Sequence, residues 1–316
     1  MSTLRTLLSK PWFGPLVALV LVYAVFGALA PDTFLGAVNL FTMTRQTVVV
    51  AVAAVGMTFV IVHGGIDLSV GSLVALTTVV IALALRAGMG PLEASLVGLI
   101  VPTLAGLVNG ALVAGLGITP FIVTLGAMSV FRGAAKGLAG EQKIDVMPAG
   151  LDTLMAAPPP GQGFVPPGVW VALVVVALGA VALRYTVFGR HVVAVGSNEA
   201  TARLCGIPVG RVRVLVYGLA GALAGLSGIM EFSTLTVGDP TDSIGLELEV
   251  IAAVVIGGAS LSGGRGSIVG SAVGALLMTE IKTGCTHVGL PNWVQEILTG
   301  AIIVVAVAID RFRKRK

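Results

Sequence analysis

The stretch HGGIDLSVGS, residues 63–72, places glycines, an aspartate and two serines between two strongly apolar runs. VVVAVAAVGMTFVIV (residues 48–62) precedes it, and LVALTTVVIALAL (residues 73–85) follows it. Glycine lets the backbone leave one helix, and a side-chain oxygen can accept a hydrogen bond from the free N–H groups that begin the next. The pattern therefore predicts two apolar helices joined by a capped turn.

The composition of the whole chain indicates a membrane protein. Of its 316 residues, 56% are hydrophobic and 11% are charged, and its mean hydropathy is +1.02. A soluble domain carries roughly a quarter charged residues. The 43 glycines suit helices that approach closely in a bilayer. We predict an all-α polytopic membrane protein that forms a single domain over residues 1–316.

Apolar runs predict ten transmembrane helices, since a span needs about 20 apolar residues and fewer where neighbouring helices shield it. The first run is followed directly by Pro31, which makes cleavage as a secretory signal unfavourable, so we expect an uncleaved first span. The ten runs cover residues 12–30, 44–63, 70–86, 92–116, 119–138, 168–187, 213–232, 247–259, 267–284 and 293–309.

The distribution of charge predicts that both termini are cytoplasmic, because lysine and arginine favour that side. Of the 15 acidic residues, only Asp67, Glu199 and Asp310 then face the cytoplasm. The longest outer loop is 139–167, the longest inner loop is 188–212, and the basic tail RFRKRK (311–316) lies at the membrane surface. Thirteen of the 19 basic residues fall on the cytoplasmic side: Arg5, Lys10, Arg184, Arg190, Arg203, Arg211, Arg213, Arg265, Arg311, Arg313, Lys314, Arg315 and Lys316.

An internal similarity links the opening stretch to a second one. VIVHGGIDLSVGS (60–72) is similar to VVIGGASLSGGRGS (254–267), and both follow a span that runs inward. The similarity predicts a parallel repeat of hairpins at residues 44–86 and 247–284. The residues expected to break a helix or gate a path are Gly64, Gly65, Asp67 and Ser69 in the first copy and Gly257, Gly258, Ser260 and Ser262 in the second.

The alignment of Asp67 with Ser260 bears on the chemistry of the turn. Aspartate and serine share little acid–base chemistry, but both accept hydrogen bonds from the start of a helix. We therefore interpret Asp67 as a structural cap. A gating or partner-contacting role and a proton-carrying role remain alternatives, since intramembrane carboxylates are often functional.

The inner loop contains a short helix with signals at both ends. Asn198 suits an N-cap, Glu199 suits the first turn, and Gly206 followed by Pro208 ends the helix. Such an element suits the docking of a partner. An amphipathic helix that rests on lipid headgroups is the alternative.

Motifs for catalysis and cofactor binding are absent from the sequence. It has no G-x-x-x-x-G-K-[ST] phosphate loop, and His63, His191 and His287 lie in different segments without ligand spacing. Cys205 and Cys285 are expected on opposite membrane faces. We expect no cofactor, no metal site, no disulfide, no nucleic-acid partner and no catalysis by this chain.

From about residue 36 to its C-terminus the chain resembles permease subunits of ribose/xylose/arabinose-type ABC importers. The similar stretches are AVGMTFVIVHGGIDLSVGSLVAL (54–76), GITPFIVTLGAMSVFRG (117–133), GRHVVAVGSNEATARLCGI (189–207), ELEVIAAVVIGGASLSGGRGSIVGSAVGAL (247–276) and NWVQEILTGAIIVVAVAIDR (292–311). Cys205, where the family often has a small residue, and the proline-rich loop 139–167, with Pro158, Pro159 and Pro160, depart from the family pattern.

This resemblance implies an ABC permease of the bacterial inner membrane that imports a monosaccharide or polyol. It implies a second permease copy or a paralogue, a cytoplasmic ATPase and a periplasmic sugar-binding protein. It also implies a coupling helix that enters a groove of the ATPase, formed by Asn198, Glu199, Ala200, Ala202, Arg203, Leu204 and Gly206. An ion-coupled secondary transporter and an intramembrane enzyme are the competing hypotheses.

Charged residues at the predicted outer ends of spans are candidates for docking the binding protein, because complementary rim charges steer association. They are Arg45, Arg132, Lys136, Asp239, Asp242 and Glu247, together with Lys143, Glu231, Glu249 and Glu280. Asn109, Thr124 and Ser129 could line a path for solute, although helix contacts are the usual role of such residues.

Overall fold

A computed structural model describes residues 13–156 and 165–314, and it is almost entirely helical. Arg5, Lys10, Pro158, Pro159, Pro160, Arg315 and Lys316 of the sequence analysis lie outside these described residues. The helices are α1 (Phe13–Leu29), α2 (Pro31–Phe34), α3 (Ala37–His63), α4 (Val70–Arg86), α5 (Pro91–Leu116), α6 (Pro120–Ala139), α7 (Pro167–Tyr185), α8 (Val187–Ser197), α9 (Glu199–Leu204), α10 (Val209–Leu235), α11 (Leu246–Ile256), α12 (Ile268–His287) and α13 (Asn292–Lys314).

Each apolar run identified in the sequence contains a helix of the structure. Six helices, α3, α5, α6, α7, α10 and α12, are long and apolar enough to cross a membrane, and α1, α4 and the Asn292–Ala308 part of α13 are shorter apolar helices. The prediction of an all-α polytopic protein is therefore confirmed. Helix α11 has 11 residues, which rise only about 16 Å, so it reaches about halfway across a bilayer core.

Helix α3 begins at Ala37, earlier than the predicted span at 44–63. Polar residues interrupt the apolar pattern there without breaking the helix. The hydroxyl of Thr42 donates to the Val38 carbonyl and that of Thr44 donates to the Leu40 carbonyl, at 2.9 and 2.7 Å. Because these hydroxyls are satisfied within their own helix, the segment can continue as a helix before the apolar run starts.

Helix α3 lies at the centre of the bundle, where it packs against α10, α12 and α7. Of its most apolar segment 89% is buried, against 11% for α6 and 22% for α7. Helices α6 and α7 therefore leave most of their apolar surface exposed on the outside of the bundle.

The close packing of α5 against α10 depends on small residues. A methyl group on Gly221 of α10 would collide with the Pro102 carbonyl oxygen of α5, and one on Gly106 of α5 would lie 3.0 Å from the Gly221 α-carbon. Small residues at such crossings let two backbones approach within a membrane.

A short ribbon and a one-turn helix lie at the end of the bundle that the predicted topology places outside. Strand β1 (Ile144–Asp145) pairs antiparallel with β2 (Val237–Gly238), with Ile144 opposite Gly238. Next to the ribbon, the backbone N–H of Asp239 donates to the Thr78 hydroxyl of α4 at 3.2 Å. The 3₁₀ helix Leu151–Leu154 belongs to the same loop as β1.

Candidate coupling site

The first turn, residues 64–69, ends α3 with a left-handed glycine. Gly64 has φ +96°, its N–H donates to the Ile61 carbonyl, and the Gly65 N–H donates to the Val60 carbonyl, both at 2.9 Å. This is a Schellman ending, which satisfies the last carbonyls of a helix. A methyl group on Gly65 would lie 2.5 Å from the Tyr217 hydroxyl of α10. Gly64 is therefore required for its left-handed conformation, and Gly65 is required because any side chain would collide with Tyr217.

Asp67 organises the end of the same turn. Its Oδ1 accepts hydrogen bonds from the Ser69 N–H at 2.9 Å and from the Ser69 hydroxyl at 2.6 Å, immediately before α4 begins. Asp67 thus closes a turn on the residue two positions ahead, whereas the first N–H groups of α4 receive no side-chain cap. Asp67 is fully buried, and its Oδ2 has no hydrogen-bond partner among the described residues. Burial raises the pKa of the Asp67 carboxyl, and the Ser69 hydrogen bonds oppose that rise.

Two of the residues suggested for a solute path instead support the first turn. The Asn109 amide of α5 donates to the Ser69 hydroxyl at 3.1 Å, and the Thr124 hydroxyl of α6 donates to the Ile66 carbonyl at 3.1 Å. Both side chains are buried, whereas Ser129 is exposed on α6. Side chains from two helices, α5 and α6, thus support this turn, and the sequence spacing did not reveal either contact.

The second loop, residues 257–267, repeats the glycine ending with a shifted register. Gly258 has φ +93° and donates to the Val255 carbonyl, and Ala259 donates to the Val254 carbonyl, at 3.0 and 3.1 Å. Gly258 is therefore the counterpart of Gly64, whereas the sequence alignment paired Gly64 with Gly257. Gly257 itself keeps a helical conformation, with φ −62°.

The cap of the helix after the second loop also differs from expectation. The Ser267 hydroxyl accepts from the Gly270 N–H at 3.1 Å and caps α12. Ser260 instead lies within the loop, where its N–H donates to the Arg265 carbonyl at 3.0 Å and its hydroxyl lies 3.3 Å from that of Ser262. The second loop is longer than the first turn. Ser260, which aligns with Asp67, is therefore a different residue from the cap, Ser267.

The first turn and the second loop meet at a glycine junction that Gly64, Gly263 and Gly264 form with Gly196 of α8. The Gly264 N–H donates to the Val62 carbonyl at 2.8 Å. A methyl group on Gly196, next to the last residue of α8, would collide with that same carbonyl oxygen, and one on Gly263 would lie 3.0 Å from the Gly64 α-carbon. The end of α8 thus packs between the two turns.

Helix α9 follows this junction at once and has the predicted caps. The Asn198 side chain accepts from the Thr201 N–H at 2.9 Å. At the other end Gly206 has φ +79°, and the Gly206 and Ile207 N–H groups donate to the carbonyls of Arg203 and Ala202, both at 3.0 Å. The six-residue helix is thus fixed at both ends.

The faces of α9 divide the predicted coupling residues into two groups. Ala202 is buried in a small cluster with Val195 and Val209 of the same chain, so it anchors the helix to the permease and is not available to a partner. Leu204, 89% exposed, and the exposed Ala200 lie four residues apart and form the free apolar face.

Glu199 connects α9 to the long helix α10. Its two carboxylate oxygens pair with Arg203 and Arg213, both at 2.7 Å. The Arg203 hydrogen bond lowers the pKa of the Glu199 carboxyl, partial burial opposes that effect, and Arg213 lowers it further. The Glu199–Arg213 ion pair therefore ties α9 to the first turns of α10.

At the outer face, several predicted docking residues have partners within the chain. Arg132 of α6 donates to the Pro240 and Asp242 carbonyls at 2.9 and 2.6 Å, so it holds the outer loop in place. Lys143 pairs with Asp239 at 3.0 Å. Glu280 is 1% exposed, which makes the expectation that it docks a binding protein wrong. Arg45 is half-buried, Lys136 is exposed, and Glu247 lies in the first turn of α11.

Comparison with known proteins identifies the class. Residues 39–307 match the family model described as "Branched-chain amino acid transport system / permease component". The chain belongs to this family of ABC importer permeases, multi-pass proteins of the bacterial inner membrane, in which a separate subunit hydrolyses ATP. The resemblance found in the sequence is confirmed, and the secondary transporter and the enzyme are excluded.

The chain is similar to curated sugar permeases over nearly its whole length. It is 37% identical to the ribose import permease of Escherichia coli K12 over 310 residues, which cover 97% of this chain and 96% of that protein. It is 38% identical to the Bacillus subtilis 168 ribose import permease, covering 94% and 92%. It is 33% identical to the L-arabinose permease of Azospirillum brasilense, covering 96% and 88%. No solved structure matches the chain.

Proposed function

We propose that the chain is the translocation subunit of an ATP-driven importer for a monosaccharide or related polyol. The ribose and arabinose permeases among its relatives support this substrate class. A second permease copy or paralogue, a cytoplasmic ATPase and a periplasmic sugar-binding protein complete the transporter. Arg45, Lys136 and Glu247 are the remaining candidates for contact with the binding protein at the outer rim.

One observation carries the mechanism: α9 is bound both to the glycine junction and to α10. A chain that lacks a phosphate loop must receive the energy of ATP hydrolysis by contact, and α9 offers an exposed apolar face with fixed ends. Movement of α9 reaches both turns through Gly196 and reaches α10 through the Glu199–Arg213 pair. We propose that Ala200 and Leu204 enter the ATPase groove while Ala202 holds the helix to the permease.

The proposed topology has ten spans, a parallel repeat and two cytoplasmic termini. The matching glycine endings at Gly64 and Gly258 support the repeat, and the basic residues around α9 support its cytoplasmic position. Cys205 is exposed beside α9, whereas Cys285 is buried. A membrane-impermeant maleimide should therefore label Cys205 in inside-out vesicles and leave it unlabelled in intact spheroplasts. Labelling of Cys205 in intact spheroplasts would show that the proposed topology is inverted.

Transport by the reconstituted complex tests the function. Permease, ATPase and binding protein in proteoliposomes should accumulate radiolabelled D-ribose or L-arabinose when ATP is supplied on the ATPase side. A proton or sodium gradient without ATP should drive no uptake. Uptake that follows an ion gradient, or ATP-driven uptake of other solute classes alone, would contradict the proposal.

A further inference from the structure

A polar cavity of about 480 Å³ lies at the end of the bundle that the proposed topology places outside. Its walls come from α3, α10, α11, α12 and the loop that follows β2. The side chains that matter for its chemistry are Gln46, Glu231, Asp242, Glu249, Thr279 and Lys282. The volume falls within the range of small-molecule sites, roughly 300–1,000 Å³.

The floor of the cavity carries hydrogen-bonding groups that the protein leaves unused. Thr279 is 4% exposed, and its hydroxyl has no hydrogen-bond partner within residues 13–156 and 165–314. The Gln46 side-chain carbonyl accepts from the Thr283 hydroxyl at 3.1 Å, which orients its amide so that the NH₂ group is available to donate. Buried polar groups normally have partners, so an unpartnered one that lines a cavity points to a ligand.

Acidic side chains outnumber basic ones on the cavity walls, where Glu231, Asp239, Asp242 and Glu249 lie with Lys282, and Asp239 pairs with Lys143. Glu249 is neutralised by Lys282 at 2.7 Å, whereas the Asp242 carboxylate receives a hydrogen bond from the Ser243 hydroxyl at 2.6 Å and Glu231 forms no ion pair in the described part of the chain. Carboxylates accept hydrogen bonds from hydroxyl groups and repel anions. The walls therefore suit a neutral polyhydroxylated molecule and disfavour a phosphorylated or carboxylated one.

We propose that this outer cavity is a transit site where a neutral monosaccharide or polyol contacts the permease before it passes inward. The proposal rests on the sugar-importer function above and adds the contacts. Asp242 and Glu231 accept from solute hydroxyls, the Gln46 amide donates, and the Thr279 hydroxyl does either. The same charge excludes sugar phosphates and sugar acids.

Cysteine labelling tests the site without relying on transport. In a Cys205→Ser, Cys285→Ser background, Thr279→Cys should react from outside, faster with a cationic methanethiosulfonate than with an anionic one of similar size. D-Ribose should slow the reaction along a saturation curve, about threefold at twice its dissociation constant. D-Ribose 5-phosphate should not slow it. Thr153→Cys, an exposed position in the outer loop away from the cavity, is the control that ribose should not affect.

Parallel variants keep this test decisive. Gln46→Cys should give the same protection if Thr279→Cys fails to assemble. Gln46→Leu should lower ATP-driven ribose uptake about tenfold with ATPase association unchanged, as expected for one lost hydrogen bond to substrate. Suppose that the native complex takes up ribose with ATP but that no neutral sugar slows the labelling. That result would overturn the transit site and leave the importer function intact. Absent sugar uptake by the native complex would instead overturn the importer function.

Discussion

The backbone N–H of Gly264 donates to the carbonyl oxygen of Val62 at 2.8 Å. This hydrogen bond joins the second loop to the C-terminal end of α3. Gly196 packs against the same carbonyl from the end of α8. Because α9 begins just beyond Gly196, a displacement of α9 should move Gly196 and, through it, both the first turn and the second loop. Packed junctions of this kind transmit movement because their atoms have no free space in which to relax.

The glycine junction predicts a severe effect for Gly196→Ala. The added methyl group would collide with the Val62 carbonyl oxygen and lie 2.7 Å from the Gly264 nitrogen, so the junction must open. We expect a destabilisation of about 1–3 kcal/mol, typical of overpacking, and a loss of ATP-driven uptake. Thermal unfolding of the purified permease and uptake in proteoliposomes measure the two effects.

Gly210→Ala is the matched control for that variant. Gly210 lies in the first turn of α10, and the nearest atom to an added methyl group is 4.0 Å away, on Ala114. Its melting temperature and uptake should equal or slightly exceed those of the native chain, because alanine favours a helix. Equal behaviour of the two variants would show that the junction is not tightly packed.

Substitutions of Asp67 separate capping from charge. Asp67→Asn keeps an Oδ1 that can accept from the Ser69 N–H and hydroxyl, so folding and most transport should persist. Asp67→Leu removes the acceptor, and a cost of about 1 kcal/mol or more should lower the amount of assembled permease. Size-exclusion yield and uptake distinguish these cases. A well-folded Asp67→Asn complex without transport would indicate that the charge itself is required.

The exposed face of α9 predicts that Leu204→Asp uncouples the transporter. Leu204 is 89% exposed, so the substitution should leave the fold unchanged and place a charge in an apolar contact. We expect the ATPase to dissociate, or to hydrolyse ATP without transport. Co-purification of the ATPase and sugar uptake are the measurements.

Leu116→Asp is a suitable comparison for Leu204→Asp. Leu116 is 65% exposed and ends α5, outside α9, at the proposed cytoplasmic face. Its variant should retain the ATPase. If α9 only rested on lipid headgroups, Leu204→Asp would also retain the ATPase.

The pairing of Glu199 with two arginines predicts a pH-dependent contribution to stability. Hydrogen bonding by Arg203 lowers the pKa of Glu199 from its ordinary value of 4.5, so the folded state favours the ionised form. The contribution should be fully present above about pH 4.5 and should be lost as the pH falls through the lowered folded-state pKa. Melting temperatures of the native chain and of Glu199→Gln should differ at pH 7 and converge in acid. A constant difference across that range would show that the carboxylate charge is not responsible.

Several features could be predicted from the sequence because their signals are local. The helix-breaking glycines at 64 and 258, the Asn198 cap and the Gly206 ending each act on backbone groups a few residues away. Hydropathy likewise located the ten apolar helices, because a bilayer selects long apolar segments. It did not reveal α8 (Val187–Ser197), nearly all of which lies within the stretch 188–212 that was predicted as a loop.

The tertiary structure alone decided which residues meet across the chain. Ser267 replaces Ser260 as the cap because the second loop is longer, and Arg132 binds a carbonyl of the outer loop, although its charge had suggested a docking role. The contact of Val62 with Gly264 and Gly196, and the support of the first turn by Asn109 and Thr124, join distant segments. Such contacts depend on how the helices pack, and no local pattern encodes the relative positions of two helices.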